Sequence, residues 1–184
     1  RRPGLAGSVV ALVDTDPDVL DLSARIVGRM ISETGADLRV ERSARRREVL
    51  PGSDFVLNSI SVGEPWARER DVSIGERYGI YQPPTQPVGP AGFARGLRVI
   101  PHAEAIARDV ADLCPDAVVL NLANPLSAVC RAMIRGTGLT VIGCANPFSR
   151  IDRASSCSTA WSNVLRSLLP ATMRSTGTNS TIAA

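Results

Sequence analysis

Hydrophobic positions along this chain fall into two alternating patterns. Short continuous apolar runs stand at Val9–Val13, Leu38–Val40, Phe55–Leu57, Ala117–Leu122 and Thr140–Gly143. Runs of that length and β-branched content read as parallel strands buried on both faces. Between them, apolar residues recur at helical spacing. After Asp14-Thr15-Asp16-Pro17 the series Leu20, Leu22, Ile26, Val27, Met30, Ile31 predicts the apolar side of a helix to about Glu33. Asp16 is its candidate N-cap, Pro17 its first helical position and Gly35 its stop. A second series, Leu97, Ile100, Ala103, Ile106, Ala107 and Val110, predicts a helix beginning near Phe93, after a Gly89–Gly92 turn. Pro125 opens a third helix to about Arg135, ended by Gly136 and Gly138, and a brief Arg-rich helix spans Ala44–Leu50.

Strand and helix alternate throughout, which predicts an α/β fold with a doubly wound, mostly parallel, Rossmann-like sheet. The stretch from Ser59 to Gly89 shows no period and reads as a long loop. It leaves the carboxyl end of a strand, where open α/β sheets bind ligands. The pattern weakens after Phe148. Residues 149–184 hold 13 Ser or Thr among 36, so residues 1–148 read as one domain. The remainder reads as a weakly ordered tail with a faint helix at Trp161–Leu169.

Composition narrows the function classes. Hydrophobic residues make up 44% of the 184, and the mean hydropathy is +0.05, which is globular. No run of eighteen apolar residues predicts a membrane span. The N-terminal apolar run is interrupted by Asp14 and Asp16 too early for a signal peptide, which points to a cytoplasmic protein. Net charge is +3 and every basic residue is Arg. Scattered Arg without interleaved aromatics does not make a nucleic-acid surface. The cluster Arg45-Arg46-Arg47 reads as a solvated helix face rather than a phosphate site. Four Cys (114, 130, 144, 157) form no CxxC pair and read as reduced thiols.

Several residues could carry chemistry. Asp14 ends the first strand, where an acidic residue of a dinucleotide-binding fold accepts from the adenosine ribose; it could equally be a turn aspartate. The glycine-rich phosphate turn belongs roughly 20 residues earlier, and only thirteen precede Asp14. The chain therefore reads as beginning inside the fold. Asn58 and Ser59 end the Phe55 strand and are candidates for the cofactor or a plain polar terminus. Arg68 and Asp71 could be a solvated ion pair or face a substrate. Asn124 could cap the Pro125 helix or bond sugar hydroxyls. Cys144 ends the last strand. His102, the one His in the chain, reads as a partly exposed helix residue.

The run NSISVG, then W and RERD, RYGIYQ, GP-G and GLRVIP, followed by LCPDAVVLNLANP, resembles glycoside hydrolase family 4. The likeness extends from Asp14 to Gly143 and stops near Pro147. WARERD, RYGIYQ and GLRVIP look closer to its α-glucosidase, α-galactosidase and α-galacturonidase members than to its 6-phospho-β-glucosidases. The resemblance implies NAD and Mn2+ as cofactors, a small glycoside as substrate and a homo-oligomer for the full-length enzyme. It implies a redox-elimination route instead of paired carboxylates. The nicotinamide takes a hydride from sugar C3, a base removes the acidified C2 proton, and the metal stabilises the enediolate. The aglycone leaves, water adds at C1 and the hydride returns. It also implies that Asp14, Asn58 and Ser59 face the cofactor, that Arg68, Asp71 and Asn124 face the sugar, and that Cys144 is a metal ligand.

The family usually shows Gly-Leu-Cys there, whereas this chain reads Gly143-Cys144-Ala145, putting Cys144 one residue early in strict register. No His follows position 144 and no Tyr follows Tyr81, leaving the family's second metal ligand and catalytic base without counterparts. The expected function is therefore a family 4 glycosidase fragment, inactive by itself. The alternatives are a 2-hydroxy-acid dehydrogenase relative and a non-catalytic remnant.

Overall fold

The structure, a computed structural model, describes residues 5–63, 65–85 and 88–144, and the backbone of Thr181–Ala183. The chain order is β1 (Ser8–Val13), α1 (Pro17–Thr34), β2 (Leu38–Ser43), a 3₁₀ turn (Arg46–Glu48), β3 (Phe55–Asn58), α2 (Pro65–Glu76), α3 (Pro90–Leu113), β4 (Val118–Asn121), α4 (Leu126–Thr137), β5 (Val141–Gly143) and β6 (Thr181–Ala183). All strand pairs are parallel, in the order β2-β1-β6-β3-β4-β5. From β1 the chain crosses outward to β2; from β3 it crosses the other way, to β4 and β5. Right-handed crossovers running in opposite directions put their helices on opposite faces, which is the expected Rossmann-like architecture.

α1 begins as its sequence predicts. The Asp16 side chain accepts from the amides of Asp18 (2.9 Å) and Val19 (3.2 Å), Pro17 follows it, and Gly35 ends the helix in the left-handed region. Its expected apolar side is another matter: Leu20 is buried, but Leu22, Ile26 and Met30 are exposed.

The Phe93 helix starts three residues earlier than expected, and its buried stripe is rotated. Leu97 is exposed, while Gly92, Gly96, Val99, Ala103, Ala107 and Val110 face the core. Small residues win this face because α3 packs closely on α4 and α2. A Cβ on Gly96 would lie 3.4 Å from the Pro125 ring. Met133 and Val129 of α4, Val119 of β4, Val56 of β3 and Ala11 of β1 complete the core.

Three further expectations are corrected. The predicted loop contains α2, whose buried positions are Ala67, Asp71 and Gly75. They recur every fourth residue but are not apolar as a set, so no hydrophobic period marks the helix. Gly75 is required there, since a Cβ would stand 2.5 Å from the Ile80 carbonyl oxygen. The Arg-rich helix contracts to a 3₁₀ turn, and its cluster, solvated at Arg45 and Arg47 as expected, is also ion-paired. Arg46 pairs with Asp109 of α3 at 2.5 Å, and Arg47 bonds both Asp109 and Asp112. Finally, the tail contributes β6, three residues paired with both Val9–Ala11 and Phe55–Val56. The Trp161–Leu169 segment lies outside the described residues.

Met133 is fully buried. Met133→Ala should cost about 2–5 kcal/mol in urea unfolding, whereas Ile26→Ala on exposed α1 should cost under about 0.5 kcal/mol. Burial pushes the Asp109 carboxyl up, but hydrogen bonds from Arg47 and Arg46 outweigh it and hold the group below the ordinary 3.8. A depressed folded pKa contributes stability above the unfolded value and loses it as pH falls through the folded value. Wild type should therefore exceed Asp109→Asn in stability at pH 7, and the gap should narrow below about pH 4. Urea titrations at several pH values check this; a constant gap would count against it.

Candidate functional site

Because the strands are parallel, Asp14, Asn58 and Asn124 follow or end β1, β3 and β4 on one edge of the sheet. In-register pairing places Asn58 directly beside Asn121. Asn58 is buried, and its amide nitrogen donates to Asn121 Oδ1 at 2.7 Å. Asn121, fully buried, donates onward to the Ala123 carbonyl at 3.1 Å and accepts from the Ala123 amide at 3.2 Å. This pair braces the strand ends beneath the edge. Asn58 is thus tied to β4 beneath the edge. Asn121 was hidden in the apolar run of β4.

Asn124 is half-buried and precedes a cis Pro125. Pro125 rather than Asn124 occupies the N-cap position of α4. Asp14 is half-buried and its Oδ1 accepts from the Asp16 amide at 2.9 Å. Ser59 is exposed at the same edge.

The loop after β3 turns into α2 and forms a half-open pocket of about 100 Å³, lined by Ser61, Val62, Arg68, Asp71, Arg95 and Arg98. Asp71 is not paired with Arg68. It is buried on the inner side of α2 and receives both prongs of Arg98, at 2.9 and 2.5 Å. The Arg98 Nε donates to the Val62 carbonyl at 2.8 Å. One guanidinium thus ties α3 to α2 and to the loop. The hydrogen bonds that Arg98 donates to Asp71 raise its pKa above the ordinary value. Gly63 sits at φ 95°, and a Cβ there would lie 2.9 Å from Arg98 Nε, so a side chain would both strain the turn and displace the guanidinium. Arg95 and Arg98 are three apart on α3 and share a face. That spacing was readable within GFARGLR, but the carboxylate that Arg98 binds lies on another element.

Cys144 follows β5, with its thiol 3.8 Å from the Ile142 carbonyl oxygen. Burial, and then the neighbouring Cys130, push its pKa up. Among the described residues no group of three His, Cys, Asp or Glu could hold a metal ion. His102 is exposed on α3.

The sequence pattern of "Family 4 glycosyl hydrolase" matches residues 1–154. The chain belongs to glycosyl hydrolase family 4. It is 33% identical over 151 residues to an α-glucosidase of Erwinia rhapontici, covering 81% of this chain and 33% of that enzyme. An α-galacturonidase of Bacillus subtilis is 38% identical over 109 residues, 59% of this chain and 24% of that enzyme. Among solved structures, a 6-phospho-α-glucosidase from gut microorganisms, in complex with NAD and Mn2+, superposes with a TM-score of 0.60 at 25% identity, covering 70% of this chain and 29% of the other. The family 4 chain described here thus spans a third or less of these relatives. No helix among its described residues is long and apolar enough to cross a membrane.

Removing Asp71 leaves the Arg98 guanidinium without its carboxylate in a largely closed setting. Asp71→Ala should destabilise the protein by about 3 kcal/mol, and Arg98→Met should cost at least as much because it leaves the Asp71 carboxylate, the more deeply buried partner, without its cation. Chemical unfolding of both variants checks the order.

Proposed function

We propose that this chain supplies part of the site of a glycosidase that hydrolyses O-glycosyl bonds of small glycosides with NAD and Mn2+. The observation that carries the reading is the Arg68–Asp71–Arg98 pocket at the carboxyl edge of β3, in a chain of glycosyl hydrolase family 4. Bound nicotinamide would supply the hydride acceptor. The chain's own residues bind and orient. Asp14 stands where a ribose would be held, Ser59 lies beside it along the edge, and Asn124 offers an amide to sugar hydroxyls. Asp71 positions Arg98, and Arg68 faces the substrate.

The fit to the two cofactors is uneven. In a doubly wound sheet of order 3-2-1-4-5-6, the glycine-rich phosphate turn follows the strand lying where β6 sits here. Asp14 fits a dinucleotide, and no glycine-rich turn stands at that place among the described residues. Cys144 is the metal candidate, but the described residues around it do not make a cation site. No step is therefore assigned to the metal. Residues 1–184 alone are proposed not to turn over, as a fragment of the family enzyme with residues 149–184 a divergent tail. A cytoplasmic setting belongs to the same proposal, supported by the free thiols Cys114, Cys130 and Cys144. So does a homo-oligomeric full-length enzyme. The relatives' names include neutral and acidic sugars, so family membership leaves the sugar open.

The test combines binding and turnover. Residues 1–184 should bind NAD+ measurably, and Asp14→Ala should weaken it by about tenfold. Aryl α-glycosides with NAD, Mn2+ and a reductant should release no aryl group above background. Release would overturn the inactivity and uphold the glycosidase. Oxidation of lactate or malate would shift the reading to a dehydrogenase.

A further inference from the structure

The sheet consists of two halves joined by one short strand. β1 and β2 pair in register from Ser8–Leu38 to Val13–Ser43, and β3, β4 and β5 pair among themselves from Phe55–Val118 onward. Among the described residues, every ladder between the halves runs through the three residues of β6. They pair with Val9–Ala11 on one side and with Phe55–Val56 on the other. The candidate site straddles this junction. Asp14 follows β1, while Asn58 ends β3 and Ser59 follows it.

Both walls of the channel that holds β6 are set by other strands, so the channel dictates what it can take. Parallel pairing on two sides demands an extended backbone with its N–H groups free, running in the direction of β1 and β3. Val9, Ala11, Phe55 and Val56 are buried, and a charged residue between them would be left unpaired at high cost. Ala11 and Val56 belong to the same core cluster as Val99 and Ala103 of α3. The register puts position 183 between those two residues, so the channel takes a small residue there and a large one would overpack the core. We propose that the channel between β1 and β3 is a strand-acceptor site for an extended, uncharged peptide with a small residue at its third position. Thr181–Ala183 is its detachable ligand, a clasp that joins the half bearing Asp14 to the half bearing Ser59. When the clasp leaves, the halves keep side-chain contacts such as the Arg46 and Arg47 ion pairs, but no ladder. The strand site stands on the sheet alone, whatever sugar or cofactor the edge takes.

The experiment has two arms, both on the full chain. In native-state hydrogen exchange of wild type, the Ile182 and Ala183 amides should exchange at least about tenfold faster than those of Val119 and Leu120, through a local opening. Exchange of all four at the rate of global unfolding would overturn the proposal. In the second arm, Ile182→Pro removes a ladder donor and unseats the clasp. A synthetic peptide of residues 175–184, labelled with fluorescein at its amino end, is then titrated by fluorescence anisotropy. It should bind Ile182→Pro saturably and at least about tenfold more tightly than wild type, whose own strand competes at an effective concentration on the order of millimolar. The same peptide carrying Ala183→Leu should bind at least about tenfold more weakly. If Ile182→Pro is unfolded by itself, the peptide should restore its dispersed NMR spectrum. Failure to bind or to restore the fold, equal binding to wild type, or indifference to Ala183→Leu would each overturn the strand site. None of these readouts needs NAD, metal or turnover, so they leave the glycosidase reading untouched.

Discussion

The fork between Arg98 and Asp71 holds the candidate site together. Its two oxygens and two nitrogens meet inside the wedge between α2 and α3, and the third nitrogen anchors the loop leaving β3. A buried ion pair is not in itself a strong source of stability, because desolvation offsets much of the attraction. What it supplies is position. α2 has no hydrophobic stripe to choose which face turns inward, and the carboxylate of Asp71 makes that choice by demanding its partner. The face so chosen determines where Arg68 points.

The sheet does the same for the neighbouring strand ends. Parallel strands buried on both faces need every polar group at their tips satisfied, and Asn58 and Asn121 satisfy one another across β3 and β4. Their pairing requires the observed register, in which Asn58 lies opposite Asn121. A slip by one residue would turn one amide into the opposite layer. The floor of the site is thus a polar pair enclosed by an apolar sheet, and the groups left at the rim are Ser59, Asn124 and Asp14.

Charge is handled differently at the two ends of α3. At its carboxyl-terminal half, Asp109 and Asp112 take up Arg46 and Arg47, so the densest basic cluster in the sequence is neutralised within the fold. At its amino-terminal half, Asp71 is taken up by Arg98, and Arg95 and Arg68 line the same pocket without an ion pair among the described residues. The densest cluster of cations is ion-paired, and the cations that line the pocket are scattered along the sequence, from Arg68 to Arg98.

The sequence by itself determined the strands, the first helix with its Asp16–Pro17 start and Gly35 stop, the parallel sheet and the family. Each is written in short-range patterns: continuous apolar runs, a cap, a glycine in the left-handed region, motifs in fixed order. It did not reveal α2, because the buried positions Ala67, Asp71 and Gly75 carry no hydrophobic period. It misjudged the packing faces of α1 and α3, because which side of a helix is buried depends on how closely the neighbouring element can approach. Small residues, not the largest apolar ones, set the α3 contact. Nor did it pair Asp71 with Arg98 or show the insertion of Thr181–Ala183 between β1 and β3. Those partners are separated along the chain by 27 residues and by well over a hundred, respectively. Only the folded backbone brings them within bonding distance, so only the tertiary structure could decide them.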